Sequence, residues 1–173
     1  MKKIIYLSLY LGIVAAISTV VIASTNQVTS PIIQERLEAL FVAGVYASFP
    51  NHTSFSIVEL TEYMPYTTQI LEVFENGTLI GFVYSQEVIG FASTIQYLIG
   101  IDTSGQFVNF FVVSQNESPG FGEQLSGETW VGRIVGSNSG YAIEPLSGVT
   151  ASTAPIIHAL QYVHYDFSMR MSN

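Results

Sequence analysis

At 173 residues the chain has room for one domain, and a content of 49% hydrophobic and 10% charged residues excludes a chain disordered throughout. It contains no Cys, which excludes disulfides, thiolate metal sites, iron–sulfur clusters and a Cys nucleophile. Acidic residues number 13 against five Lys and Arg, so the basic footprint of a nucleic-acid-binding protein is missing. We attribute the excess of acidic residues to solubility.

The first segment is an uncharged apolar run from Ile4 to Ala23, about the length that spans a bilayer. Lys2 and Lys3 precede the run and are the only lysines, so the positive-inside rule predicts a cytoplasmic N-terminus with the rest of the chain outside. A cleaved signal peptide is the alternative. The run is longer than the core of a usual signal peptide, which favours a transmembrane anchor over residues 1–23.

After the anchor, residues 24–30 are predicted to form a short polar stalk and residues 31–173 a single domain. The pattern predicts an α+β fold, a mostly antiparallel sheet with flanking helices. Helices are predicted from Pro31 to Ser48 and from Thr153 to Phe167, because apolar residues recur there at helical spacing. Asn76-Gly77 indicates a tight hairpin. Strands are predicted over 55–60, 69–75, 78–85, 94–101, 106–114, 130–135 and 141–143.

The most informative stretch runs from Glu144 to Thr150 and leads directly into the predicted closing helix. A helix N-terminus offers free backbone amides and the positive end of a dipole, and Gly148 lets the backbone approach a ligand closely. Four hydroxyls surround this position, those of Ser147, Thr150, Ser152 and Thr153. The arrangement suits a phosphate better than a catalytic proton transfer, and an ordinary Ser/Thr-capped helix is the alternative.

The segment 147–150 resembles the S/T-G-A-T flavin-attachment motif of the FMN-binding domain family. That family includes the G subunit of the Rnf electron-transport complex and the C subunit of the sodium-translocating NADH:quinone oxidoreductase. Two further stretches, Gly100–Gln106 and Glu117–Gly122, resemble the family's G-I-D-x-x-G and E-T-P-G-L-G blocks in the same order. The chain has Glu144 where the family usually has Asp, and Val149 where it usually has Ala.

The resemblance implies a membrane-anchored electron carrier that holds FMN through a phosphodiester bond to Thr150. It implies a flavin transferase that uses FAD and magnesium, in whose reaction the Thr150 hydroxyl attacks the flavin-side phosphorus and AMP leaves. It also implies partner subunits in a membrane redox complex, which couples electron transfer to ion transport in this family. The predicted cofactor-binding residues are Glu117, Ser118, Pro119, Gly120, Phe121, Gly122, Glu144, Ser147, Gly148, Val149, Thr150, Ser152 and Thr153.

Within that set we expect different roles. Ser147 and Gly148 shape the turn, Ser152 and Thr153 bind the phosphodiester, and Glu144 orients Thr150 or assists the transferase. The stretch 117–122 lines the flavin. The flavin ring is expected to stack on Phe121, Trp130 or Tyr141, between which the sequence does not choose. Arg133 is a candidate phosphate partner, although an exposed Arg without a ligand is the commoner case.

Other chemistries find little support. The three histidines show no metal-ligand spacing, so no metal site is predicted. A nucleophile elbow, a dinucleotide fingerprint and a Walker motif are all missing from the sequence. Two alternatives to the electron carrier stay open. One is an anchored binding or structural module of the same fold that has lost its flavin, and the other is part of a soluble flavin reductase, which the lack of a second substrate domain disfavours.

Overall fold

A computed structural model describes residues 2–60 and 64–172, so Met1, residues 61–63 and Asn173 of the predicted segments lie outside the described residues. The chain divides into two compact units, Met1–Ala39 and Leu40–Asn173. The elements in chain order are α1 (Lys2–Ser48), β1 (Ser54–Val58), β2 (Thr67–Glu75), β3 (Thr78–Ile89), β4 (Thr94–Asp102), β5 (Phe107–Ser114), a 3-10 helix (Gly122–Ser126), α2 (Glu128–Ile134) and α3 (Thr150–Met171).

In the first unit, the described residues from Lys2 to Ala39 are helical. Its described side chains between Ile4 and Ala23 are all exposed although nearly all are apolar. By length and composition this helix is able to cross a membrane, a test that a signal sequence also passes. The predicted N-terminal apolar helix is therefore confirmed as a candidate membrane span.

The prediction that a second helix begins at Pro31 is wrong, because Pro31 lies inside α1. Residues 24–30, predicted as a polar stalk, are helical as well. Their hydroxyls form bonds along the helix, as where Thr25 Oγ1 donates to the Val21 carbonyl at 2.9 Å. Such bonds allow short polar side chains within a helix, and a polar composition alone therefore did not mark a helix end here.

The predicted antiparallel sheet is confirmed. Its five strands lie in the order β1-β2-β3-β4-β5, each antiparallel to its neighbour. Asn76 and Gly77, with φ of 51° and 81°, form the two-residue turn between β2 and β3. Both positive φ values match the turn that fits the twist of a hairpin, which is why the Asn-Gly pair was a reliable signal.

Side chains alternate between two cores, one on each face of the sheet. Tyr84 and Tyr97 belong to the larger core, which also holds buried residues of α2 and α3. Val83 and Leu98, their chain neighbours, belong to the smaller core together with Val45 of α1. The larger core fixes α3 against the sheet, and this placement sets the position of its N-terminus.

The strand predicted over 130–135 is wrong, because α2 occupies Glu128–Ile134. Trp130 and Ile134, four residues apart, are both fully buried, as the same face of a helix requires. Residues 141–143 form no strand either. Both segments are too short for a hydrophobic period of two to be separated from a helical period.

The closing helix is confirmed with different ends. It begins at Thr150, three residues before the predicted start, and ends at Met171 instead of Phe167. Pro155 lies in the early part of α3, where a missing amide hydrogen costs least. The earlier start places Thr150 at the first helical position, and this changes which hydroxyls are available to a ligand.

Candidate functional site

A sharp turn leads into α3. Gly148 has a φ of 84°, in the left-handed region that L side chains adopt at a cost. A Cβ atom at this position would meet nothing within 4 Å, so the backbone angle and not crowding calls for glycine. Val149 follows as the residue before the helix and makes no side-chain capping hydrogen bond.

The first amides of α3 are open. Within the part of the chain that the structure describes, the amides of Thr150 and Ala151 have no hydrogen-bond partner. The next two amides, of Ser152 and Thr153, donate to the Val149 carbonyl at 3.1 and 3.0 Å. Two unpaired amides at the positive end of a helix are a suitable environment for a phosphate group.

Ser147 and Thr150 form the outward face of this turn, and both are exposed. The Thr150 hydroxyl makes a long hydrogen bond of 3.4 Å to the Leu146 carbonyl. A bond of that length holds the hydroxyl weakly. Thr150 is thus accessible to a macromolecule that approaches from solvent.

Ser152 and Thr153 form the inward face, with relative exposures of 2% and 0%. Both hydroxyls, which were expected to bind the phosphodiester, make hydrogen bonds within the protein. The Thr153 hydroxyl closes the turn, because Oγ1 donates to the Val149 carbonyl at 3.0 Å and accepts from the Leu146 amide at 3.2 Å. Ser152 Oγ donates to the carboxylate of Glu117 at 2.6 Å.

Arg133 and Glu144 meet in the loop that precedes this turn. The Nη1 atom of Arg133 donates to the carbonyls of Glu144 and Pro145, at 3.1 and 2.8 Å. Arg133, a candidate phosphate partner, therefore holds the loop backbone. The Glu144 side chain is exposed.

The carboxylate of Glu117 receives several hydrogen bonds from other segments. The amides of Phe91, Ala92 and Ser93, in the turn between β3 and β4, donate to it at 3.1, 3.0 and 2.9 Å, and the Ser93 hydroxyl donates at 3.2 Å. Burial alone would raise the pKa of Glu117. The hydrogen bonds from Ser152 and from these amides outweigh this effect, and together they hold the pKa below its ordinary value of 4.5. The group is therefore ionised at neutral pH.

The stretch after Glu117 forms a turn. The Ser118 carbonyl accepts from the amides of Phe121 and Gly122, at 3.0 and 3.3 Å. Gly120 has a φ of 82°, and its amide donates to the Glu123 carboxylate at 2.8 Å. Pro119 is exposed at the tip.

A cavity of about 210 Å³ joins the two motif segments. Its lining consists of Phe91, Glu117, Ser118, Phe121, Gly148, Val149, Ala151 and Ser152. The cavity thus brings six of the predicted residues together, from stretches about 30 residues apart. Thr150 lies between two lining residues along the chain and faces outward. The predicted residues outside the lining are Thr150 itself together with Pro119, Gly120, Gly122, Glu144, Ser147 and Thr153.

The three aromatic residues proposed to stack on the flavin ring differ in exposure and in whether they line the cavity. Trp130 is fully buried, and its ring lies edge-on to Phe110 with centroids 6.3 Å apart. Tyr141 is exposed and lies outside the cavity lining. Phe121, 46% exposed, is the candidate that lines the cavity. Phe91, 71% exposed in the same lining, was not predicted from the sequence, although an aromatic residue after glycine in a strand connection was an available signal.

Val149, which stands where the family usually has Ala, is 3% exposed and is part of the larger core. Its added bulk is therefore accommodated by packing against neighbours below the turn. The Thr150 hydroxyl on the outward face is left accessible.

Comparison with known proteins agrees with the motifs. Residues 90–164 match the family model of the FMN-binding domain. The G subunit of the Na(+)-translocating ferredoxin:NAD(+) oxidoreductase complex of Acetobacterium woodii is 25% identical over 171 residues, which cover 92% of this chain and 82% of that protein. The crystal structure of Shewanella oneidensis NqrC shares the fold, with a TM-score of 0.51, 13% identity and coverage of 72% of this chain and 73% of that chain.

The matched segment begins at the strand connection that carries Phe91 and ends within α3, so it contains every residue of the cavity lining. The resemblance predicted from the motifs is thereby confirmed: residues 90–164 of this chain match the family model of the FMN-binding domain, and both similar proteins are subunits of membrane redox complexes of that type.

Proposed function

We propose that this chain is a membrane-anchored flavoprotein that carries FMN, bound through a phosphodiester bond to Thr150, and transfers electrons as a subunit of a membrane redox complex. The observation that carries the proposal is the cavity that joins the turn at 117–122 to the start of α3. The likeness of the whole chain to a subunit of a sodium-translocating oxidoreductase complex supports the assignment to such a complex and to ion transport.

The residues present fit a flavin. Phe91 and Phe121 supply apolar, aromatic walls for a ring system. The open amides of Thr150 and Ala151 would receive the phosphate. The cavity is smaller than the roughly 300 Å³ at which typical ligand pockets begin, which suits partial burial of a ring whose ribityl phosphate lies outside. When bound, FMN supplies the redox chemistry, and the protein fixes its position and environment.

Attachment requires an exposed nucleophile, and Thr150 meets that requirement. We propose that a flavin transferase supplies FAD and magnesium. The Thr150 oxygen forms a bond to the flavin-side phosphorus, the bond from that phosphorus to the AMP oxygen breaks, AMP leaves, and the hydroxyl proton passes to the transferase or solvent. The weak hydrogen bond of Thr150 to Leu146 costs little to break.

The test is the intact mass of the full-length chain made with and without a flavin transferase. We expect the mass to rise by one FMN minus water, and we expect Thr150→Ala to abolish this rise. Ser147→Ala should preserve the rise, and it is a matched control because both hydroxyls are exposed on the same turn. A gain that survives in Thr150→Ala would place the attachment elsewhere. The absence of any gain in the unaltered chain would instead support the module that has lost its flavin.

We also propose that α1 anchors the protein with residues 40–172 on the extracytoplasmic side. Lys2 and Lys3 before the apolar run support this orientation. Protease added to intact cells should then degrade the folded domain, while the mature protein still begins at or near Met1. A mature N-terminus near Ser24 would show a cleaved signal peptide instead.

A further inference from the structure

We infer that Glu117 is the positioning residue of the flavin cavity: its carboxylate joins the β3–β4 turn and the first turn of α3 to the turn at 117–122, and so fixes the walls that hold the flavin ring. This inference rests on the proposed function. It assigns to Glu117 a role through other residues and not a direct part in electron transfer.

The bonds of Glu117 connect segments that are distant in sequence. Oε1 accepts from the amides of Ala92 and Ser93, whereas Oε2 accepts from the amide of Phe91 and from the Ser152 hydroxyl. Phe91 and Ser152 both line the cavity. Both carboxylate oxygens are therefore used to hold opposite ends of the chain segment that forms the site.

The requirement is specific for a carboxylate. Each bond to Glu117 comes from an N–H or O–H donor, so the side chain must accept at both terminal atoms. Glutamine has the same shape but carries an NH₂ group, which accepts no hydrogen bond and would face donors. Space is also limited, because a Cβ atom on Gly90 would lie 2.6 Å from Oε1.

The position of Phe91 depends on this carboxylate more than on packing. Phe91 is 71% exposed, so its own ring contributes little to hold the turn in place. Its amide bond to Glu117, with those of the next two residues, fixes the backbone from which the ring projects. Loss of these bonds should move an aromatic wall while leaving Thr150 exposed and able to react.

The inference therefore separates attachment from ring placement. In Glu117→Gln, co-expressed as the full-length chain with a flavin transferase, we expect FMN to be attached, as measured by intact mass. We expect the visible circular dichroism of the attached flavin to lose most of its intensity and the flavin fluorescence to rise, since the ring is no longer held in an asymmetric apolar environment. A residue that only stabilises the fold would lower the melting temperature without changing these flavin signals.

The matched control is Glu123→Gln. Glu123 directly follows the turn at 117–122, in the 3-10 helix, and also accepts from a backbone amide, that of Gly120, but it is outside the cavity lining. We expect its flavin signals to equal those of the unaltered protein. Equal losses in both variants would overturn the inference, as would attached flavin with unchanged circular dichroism in Glu117→Gln.

If Glu117→Gln does not fold, the Ser152→Ala variant tests the inference instead. This change deletes one of the hydrogen bonds to the Glu117 carboxylate and leaves the backbone donors in place. A smaller loss of the same flavin signals supports the inference, and unchanged signals overturn it. Failure of the unaltered chain to accept any flavin would overturn the proposed function itself, a result distinct from attached flavin that is insensitive to Glu117.

Discussion

Two faces of one short turn, residues 146–153, carry the same kinds of side chain and use them differently. On the outward face Ser147 and Thr150 are exposed, and the Thr150 hydroxyl has one long hydrogen bond. On the inward face the hydroxyls of Ser152 and Thr153 are buried and make bonds of 2.6 to 3.2 Å. The outward hydroxyls are open to solvent, and the inward ones hold the turn that presents them.

The difference arises from helical geometry. Thr150 and Thr153, three residues apart, would be neighbours on one face of an ideal helix, but Thr150 stands at the first helical position. Thr150 faces solvent there, whereas Thr153, three residues further along α3, faces the core. Four hydroxyls that are close together in the sequence are thus divided into two that are exposed and two that support the turn.

The largest expected effect in this comparison is on the inward face. Thr153→Val keeps the shape but leaves the buried Leu146 amide without its acceptor, which should lower the free energy of unfolding by about 2 kcal/mol. Thr150→Val, the matched change on the outward face, should cost well under 1 kcal/mol. Denaturation of the two full-length variants in detergent measures the difference. Equal costs would mean that burial does not distinguish the two faces.

A smaller effect is expected at the glycine that separates the faces. Gly148→Ala forces a side chain into the left-handed region and should destabilise the turn by about 1 kcal/mol. Gly148→Asn should cost less, because Asn tolerates that conformation better than Ala. Since a Cβ there meets no neighbour, an Asn variant as unstable as the Ala variant would contradict the assignment of the cost to backbone angle.

The smallest effect is expected at Ser147, whose hydroxyl has no hydrogen-bond partner among the described residues. Ser147→Ala should leave the free energy of unfolding within about 0.5 kcal/mol of the unaltered value. The same denaturation series provides the measurement. A loss as large as that of Thr153→Val would show that the outward face, too, supports the turn.

The sequence determined the parts of the fold that depend on local pattern. The Asn76-Gly77 hairpin, five of the seven predicted strands and the closing helix follow from turn chemistry and hydrophobic period, and the structure confirms them. The same local pattern predicted a strand where the structure has α2, because a helix of seven residues is too short to be distinguished from a strand. It also failed at Pro31, because a proline within a long helix cannot be recognised from the residue alone.

For the site, the sequence by itself identified both motif segments, and family resemblance predicted Thr150 as the point of attachment. Only the tertiary structure brought the 117–122 turn and the start of α3 to one cavity, added Phe91, and removed Trp130 from the candidates by burying it. It also assigned Ser152 and Thr153 to supporting bonds. The physical reason is that residue type fixes what a side chain can bind, whereas packing between distant segments fixes which partner it meets and whether solvent can reach it.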